Sequence, residues 1–443
     1  MEIVRQTLAN WGNYPRLDAE IAYPENRENL LDLVLHKETL IARGNGRCYG
    51  DAALGQHVVS MLKLNRILYF DAAAGMVDCE AGVLLSDLIP LIVPAGWFFH
   101  VTPGIKHITV GGAIASDVHG KNHPQKGCFS NWLDSFELMK GDGQIVRCSK
   151  TENQELFWQT CGGMGWTGVV LRARFRLMRI QSVMMEQTAV RAQRLEELFD
   201  AFEANADQPY AAAWVDCLSG GGHLGRGVVY FAGHREIAAA EPLHYPVKKP
   251  KNVPFFAPSW LLNPFSIRIH NEMLFAGADA KNGLVDMDRY FYPLDAIQNW
   301  NRLYGRRGFI QYQFCLPEEN SREGILKVLQ CIRRHKDWPF LSVLKRHGDR
   351  PPEAVHSFPI KGYSLALDFP MSSTVFDLVG LLDQLVWDYG GKIYLAKDAC
   401  SQARMGRVDP AAFGDRKFVS ALRERLEKEG RTFLPDTPAN IDT

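Results

Sequence analysis

The sequence predicts an α+β protein built in two parts, and three observations carry that reading. Up to about residue 178, short strand-like and helix-like runs alternate around glycine-rich loops, as in an α+β domain. From about Met178 the texture changes to strand-like runs interleaved with amphipathic helices, which reads as a sheet covered by helices. The composition, 46% hydrophobic and 23% charged over 443 residues, is that of a globular chain long enough for two or three ordinary domains.

The elements follow in chain order. "YPENRENLLDLVLHKE" places Leu30, Leu33 and Val34 at i, i+3, i+4, a helix stripe. "TLIAR" is a strand that runs into glycines. "GVLLSDLIPLIVPAG" carries a similar helical stripe, interrupted by Pro90. "SFELMKGDGQIVRCS" reads as two strands joined at Gly-Asp-Gly. "SKTENQELFWQTCGG" is a short helix with Ser149 or Thr151 as its N-cap and Gly162 near its stop. Leu171, Ala173, Phe175 and Leu177 then alternate with Arg172, Arg174 and Arg176, a strand with the arginines as its solvated face. Beyond it, "YAAAWVDCL", "GRGVVYFAG", "GFIQYQFCL", "FLSVLKRHG" and "GYSLALDFP" read as strands. "AQRLEELFDAFEA", "SREGILKVLQCIRRHK" and "STVFDLVGLLDQLVWDYG" read as helices.

Composition excludes some functions. Lys+Arg and Asp+Glu are both 50, so there is no basic excess and no nucleic-acid partner is expected. The nine cysteines are scattered with no C-x-x-C pair. That argues against a disulfide framework or a metal site and for a reducing compartment. The N-terminus lacks the apolar core of a signal peptide, and no run reaches the roughly 18 apolar residues of a membrane span. The expectation is a cytoplasmic protein. The nearest apolar run, residues 252–267, is broken by Pro254, Pro258 and Pro264.

The chemistry starts at "ARGNGRCYGDAALG", residues 42–55, where Gly44, Gly46 and Gly50 flank Arg43 and Arg47. A dinucleotide fingerprint would need a helix after these glycines, and none is apparent. The loop reads either as a backbone nest for an anion or as a hairpin end without a ligand. A second stretch, "VTPGIKHITVGGAIASDVHGKNH", adds Gly111 and Gly112, the hydroxyls of Thr109 and Ser116, and His119. A third, "TCGGMGWTGVV", crowds four glycines before a strand. Three small-residue loops can line one groove, which suits a large, flat, phosphorylated cofactor.

These loops, with "WNRLYG", "GFIQYQF" and "YLAKD" in the same order, resemble the decaprenylphosphoryl-ribose 2'-oxidase family, within the vanillyl-alcohol-oxidase (PCMH-type) FAD superfamily. The resemblance covers nearly the whole chain. It implies an FAD-binding domain over 1–178, a substrate domain over 179–393, and a C-terminal segment over 394–443 that returns to the FAD domain. FAD would rest on Ala42, Arg43, Gly44, Asn45, Gly46, Arg47, Cys48, Tyr49, Gly50, Asp51 and Ala52. Further contacts would come from Gly104, Thr109, Val110, Gly111, Gly112, Ser116, Asp117, Val118, His119, Val170 and Tyr394.

Departures from relatives carry information. In flavinylated sugar-lactone and alditol oxidases a histidine bonds FAD covalently where Arg47 stands here, so the FAD is expected to be dissociable. Those relatives carry His-Trp-x-Lys where this chain has Tyr394, Leu395, Ala396 and Lys397. The mycobacterial enzymes have a cysteine, the target of covalent inhibitors, where Ala366 stands. Inhibition that depends on that bond should fail here.

The resemblance implies oxidation of the 2'-hydroxyl of a polyprenyl-phosphoryl ribose to a 2'-keto intermediate. An NAD(P)H-dependent short-chain reductase would then complete epimerisation to arabinose for the cell envelope. The alternatives are an oxidase of free sugars, alditols or aldonolactones, and a flavin-binding subunit without turnover.

Lys397 is the first candidate for catalysis. It would act either as a base with a pKa lowered by burial or as a charge that stabilises reduced flavin or an alkoxide. The bland reading is an ion pair with Asp398, weakened because strand neighbours face opposite ways. His119 would orient substrate or tune the flavin, or be a satisfied polar residue. Gln311 and Gln313 share one strand face, which is either the substrate wall or solvated. Lys345 resembles the family's substrate-side lysine and suits a sugar phosphate, and Tyr49 would stand beside the flavin. Residues 248–265, with Lys248, Lys249 and Lys251 beside aromatics, suit either peripheral contact with the inner membrane or an apolar lid.

Overall fold

The computed structural model describes residues 1–236, 243–245, 248–258, 260–400 and 414–432. Its N-terminal sheet contains β1 (Glu2–Ala9), β2 (Arg16–Tyr23), β3 (Ile41–Arg43) and β4 (His57–Ser60), in the order β1-β2-β4-β3. The β2–β4 and β4–β3 pairs are parallel, so the chain must cross over. Helix α1 (Arg27–His36) lies in that crossover. The Asn26 side chain caps it by accepting the Asn29 N–H at 2.8 Å. Leu30, Leu33 and Val34 are buried as their spacing predicts, against Leu40, Val59 and Phe418.

The second sheet is antiparallel. It comprises β5 (Ile67–Asp71), β6 (Met76–Glu80), β7 (Trp97–Phe99), β8 (Leu133–Met139), β9 (Ile145–Ser149) and β10 (Val169–Arg179). The order is β5-β6-β10-β8-β9, with β7 also on β10. Between its strands lie α2 (Leu85–Ile92), α3 (Val110–Ala115), α4 (His123–Lys126) and α5 (Gln154–Thr160). Helix α2 runs through Pro90 instead of stopping there. Its Leu85, Leu88, Ile89 and Ile92 are all buried, and that burial offsets the lost hydrogen bond. The N-cap of α5 is Asn153, in a left-handed conformation, not Ser149 or Thr151. The Ser149 hydroxyl is engaged in its own turn, accepting the Thr151 and Glu152 N–H groups at 3.2 and 2.9 Å.

The third sheet has eight antiparallel strands. Along this part of the chain come β11 (Met184–Ala192), β12 (Tyr210–Val215), β13 (Gly227–His234), β14 (Lys251–Asn252), β15 (Gly283–Asp286), β16 (Ile297–Gln298), β17 (Phe309–Pro317), β18 (Leu341–His347), β19 (Gly362–Pro370) and β20 (Lys392–Ile393). The order is β15-β11-β13-β12-β18-β19-β17-β20, while β14 and β16 pair separately. Interleaved with them are α6 (Leu195–Ala204), α7 (Pro264–Ala276), α8 (Met287–Phe291), α9 (Glu318–His335) and α10 (Val375–Asp388). The five strands and three helices expected from sequence in this region are all present. Helices α6, α9 and α10 bury their apolar stripes on one sheet face, with Phe199, Leu329 and Leu382 in one cluster with Phe314 and Leu365. On the opposite face, Trp214 and Val228 pack with Phe275 of α7, and Gln311, Gln313, Val343 and Ala366 border a cavity.

After β20 the chain returns to the N-terminal sheet. Helix α11 (Ala421–Thr432) buries Leu422 and Leu426 with Ile21, Ile41 and Val58.

Candidate active site

A cavity of about 420 Å³ lies between the glycine loops and the open face of the eight-stranded sheet. The loop wall is mostly backbone. A Cβ on Gly44 would lie 2.2 Å from Thr109 Oγ1, so only glycine lets the first and second loops meet. Gly46 has φ +61°, in the left-handed region that favours glycine. Thr109 Oγ1 in turn accepts the Gly112 N–H at 3.1 Å, closing the start of α3.

The structure brings together most of the predicted cofactor residues. Ala42, Arg43, Gly44, Asn45, Gly46, Arg47, Cys48, Tyr49, Ala52, Gly104, Thr109, Gly111, Gly112, Ser116, Val118, His119, Val170 and Tyr394 all border the cavity. Gly50, Asp51, Val110 and Asp117 do not. A Cβ on Gly50 would strike the Asp398 carbonyl. Asp51 is ion-paired with Arg425 at 2.8 Å. Val110 is fully buried in the core. Asp117 accepts Ser130 N–H and O–H at 2.9 and 3.0 Å and also the Ser357 hydroxyl, which ties three segments behind the wall.

The wall fits a phosphorylated flavin nucleotide. It offers glycine backbone and a cation, and among the described residues Arg47 Nε and His119 Nδ1 are buried without a hydrogen-bond partner. Unpaired buried polar atoms of this kind are costly unless a ligand satisfies them.

The sheet wall carries Gln311, Gln313 and Lys345. Gln311 and Gln313 project from one face of β17 into the cavity, so that face is not solvated. Gln313 Nε2 lies 3.3 Å from His119 Nε2. Burial, with Lys345 and His123 nearby, holds the His119 imidazole well below its usual pKa, hence neutral. Ala366, opposite Gln313 on β19, also borders the cavity.

Lys397 borders the cavity, but from a turn, not a strand: its N–H bonds the Tyr394 carbonyl at 2.9 Å. Strand alternation is therefore not what separates it from Asp398. Asp398 pairs instead with Arg425 at 2.8 Å, and Lys397 Nζ sits 3.6 Å from the Tyr49 ring centroid. Burial pushes the Lys397 ammonium down to about 8, while Asp368 opposes the drop. Lys345 is likewise lowered to about 8 by burial.

Lys121 and Asp368 belong to this surrounding but were not singled out by the sequence. Lys121 Nζ donates to the Tyr290 carbonyl and lies 4.0 Å from the Tyr290 ring centroid. Burial and Lys345 bring it down to about 7. The available signal was its place two positions after His119.

Comparison with known proteins agrees with this geometry. An FAD binding domain family matches residues 19–149. The chain is 34% identical to a decaprenylphosphoryl-beta-D-ribose oxidase of Mycolicibacterium smegmatis over 376 residues, 82% of this chain and 81% of that one. It is 31% identical to an uncharacterised Streptomyces coelicolor protein over 72% of this chain and 89% of that one. An L-gulonolactone oxidase of Mus musculus matches at 33% over only 29% of each chain. With a backbone cradle suited to flavin facing a wall of glutamines and lysines, and with identity sustained across both, the chain belongs to the decaprenylphosphoryl-ribose oxidase family, an FAD-linked oxidoreductase whose cofactor is FAD.

Proposed function

We propose that the protein oxidises the 2'-hydroxyl of a polyprenyl-phosphoryl ribose to the 2'-ketone. The observation that carries this reading is the placement of Lys121 and Lys345 on the cavity wall, neither with an ion-pair partner among the described residues. Two half-buried cations lining one cavity without carboxylate partners favour an anionic ligand, and a sugar phosphate supplies one. The Mycolicibacterium smegmatis relative is named for a substrate of the same class.

FAD, when bound, takes the hydride from the alcohol carbon. The rest falls to the chain. Lys397, near 8, is matched to take the hydroxyl proton at physiological pH. Gln311 and Gln313 hold the sugar, and neutral His119 orients Gln313. The ketone is half of an epimerisation: a reductase returning hydride to the other face of C2' would give arabinose, and an NAD(P)H-dependent short-chain reductase fits that step.

Membrane contact belongs to the same reading. Phe255, Trp260, Phe265 and Met273 are 72%, 71%, 73% and 70% exposed, which supports surface contact over an apolar lid. Exposed Lys249 and Lys251 precede them, and basic plus aromatic suits an anionic bilayer surface. Among the described residues no helix is long and apolar enough to cross a membrane.

The test is anaerobic. Polyprenyl-phosphoryl ribose added to the holoenzyme should bleach the visible flavin band, and Lys397→Ala should lose this by roughly a hundredfold or more. Bleaching by free alditols or aldonolactones but not by the lipid-linked sugar would favour the second reading, for which the partial match to a gulonolactone oxidase speaks.

A further inference from the structure

Ser364, Ala366 and Asp368 alternate along β19, and the first two border the cavity. Period-2 geometry puts Asp368 on the same face, one step further in. There it is 2% exposed. Its cross-strand partner on β17 is Gln311. The Gln311 amide N–H donates to Asp368 Oδ1, and the Tyr304 O–H donates to Oδ2 at 3.5 Å. Asp368 is also the largest influence opposing burial at Lys397.

We propose that Asp368 is a positioning residue of this site: it sets which end of the Gln311 amide faces the substrate and stabilises the Lys397 ammonium. An ionised carboxylate only accepts hydrogen bonds. The end of Gln311 that meets it must therefore be the NH2 group, which leaves the carbonyl oxygen as the acceptor turned elsewhere. When Lys397 takes the substrate proton, the Asp368 carboxylate stabilises the new ammonium through space, without a direct ion pair between them. The logic is that of a buried carboxylate that orients a base without being protonated by it.

The groups facing this pair are Gln311 from β17, Tyr304 from its 3-10 turn, Tyr49 and Cys48 from the first glycine loop, and Lys345 from β18. Tyr49 and Cys48 are both held above their usual pKa by burial, and so neutral. Lys345 is a like charge that opposes Lys397 protonation. Asp368 is thus the anion that favours it. Burial raises the Asp368 carboxyl and lowers the Lys397 ammonium, and the charge of each opposes the shift of the other.

The inference rests on Lys397 being the proton acceptor, but its test does not need turnover. Holoenzyme labelled with 13C and 15N in lysine would be titrated by NMR, with the Lys397 signal identified by its loss in Lys397→Ala. Asp368→Asn should lower the Lys397 midpoint by roughly one pH unit, because the favouring charge is gone. Tyr304→Phe, which removes one hydroxyl, should lower it by a smaller amount, because Asp368 then ionises less readily; it serves if Asp368→Asn does not fold. With polyprenyl-phosphoryl ribose, Asp368→Asn should also raise KM roughly three- to tenfold, since an asparagine can face either end of Gln311. An unchanged Lys397 midpoint in a variant that keeps wild-type melting and FAD content would overturn the proposal. A shifted midpoint without flavin bleaching by the lipid sugar would leave it standing and reject the substrate assignment instead.

Discussion

Lys397 and Lys345 show how one residue type takes two roles in one cavity. Both are lowered to about 8 by burial, but only Lys397 has a nearby carboxylate acting on it. The limiting rate of flavin reduction should therefore rise with pH through about 8 and then level, read by stopped-flow absorbance. Lys345→Met should move that pH profile upward, because a like charge that opposes Lys397 protonation is gone, and should raise KM for the phosphorylated sugar roughly 10- to 100-fold, the usual loss for a charged hydrogen bond. The same substitution tests burial. A lysine held near 8 when folded and at 10.5 when unfolded leaves the unfolded chain with more bound protons between those values, so stability rises with pH across that window. Urea denaturation at pH 7.5 and 10 should show a smaller rise in Lys345→Met than in wild type. Among residues, Gln311 and Gln313 were legible because a strand has period 2. Lys121 and Asp368 were not, since each becomes distinctive only through partners from β17, β18 and the turn after β20.

At the scale of elements, α7 is the instructive case. Pro264 reads in sequence as a break in an apolar run, yet it opens the helix. Asn263 caps it, accepting the Phe265 and Ser266 N–H groups at 2.9 and 3.1 Å, and proline is well placed at the first helical position. Phe265, Ile269 and Met273 then follow at i, i+4, i+8 as an exposed stripe, while Ile267, Asn271 and Phe275 face inward. Phe265→Asp with Met273→Asp should cut binding to anionic vesicles by about tenfold or more, given the transfer energy of two large apolar side chains, without altering the melting temperature. Equal sedimentation of variant and wild type with vesicles would reject the membrane role.

At the scale of the molecule, Arg425 links distant parts. From α11 it reaches Asp51 behind the first glycine loop and Asp398 beside the Lys397 turn, each at 2.8 Å. Arg425→Ala removes the guanidinium that pairs with two buried carboxylates, a loss of about 3–5 kcal/mol for a broken buried pair. It should lower the melting temperature and release FAD on gel filtration. The wild-type flavin should also be separable: heat denaturation should leave all flavin in the supernatant, because Arg47 offers no nucleophile for a covalent link. Flavin that stays with the precipitated chain would contradict this.

Local chemistry alone specified much of this protein. Periodicity marked the strands of the large sheet and its three covering helices, because alternation and helical stripes are properties of neighbouring residues. Glycine spacing marked the cofactor loops, because a close backbone approach needs a residue without a side chain. Other features depended on tertiary structure. Helix α2 continues through Pro90 because burial outweighs one lost bond, and Asp398 belongs to Arg425 although Lys397 is its neighbour in sequence. Gly50, Asp51, Val110 and Asp117 sit behind the cavity wall although they lie in the loops that form it. Pairings between residues hundreds of positions apart are set by how sheets and loops pack, and no local pattern encodes them.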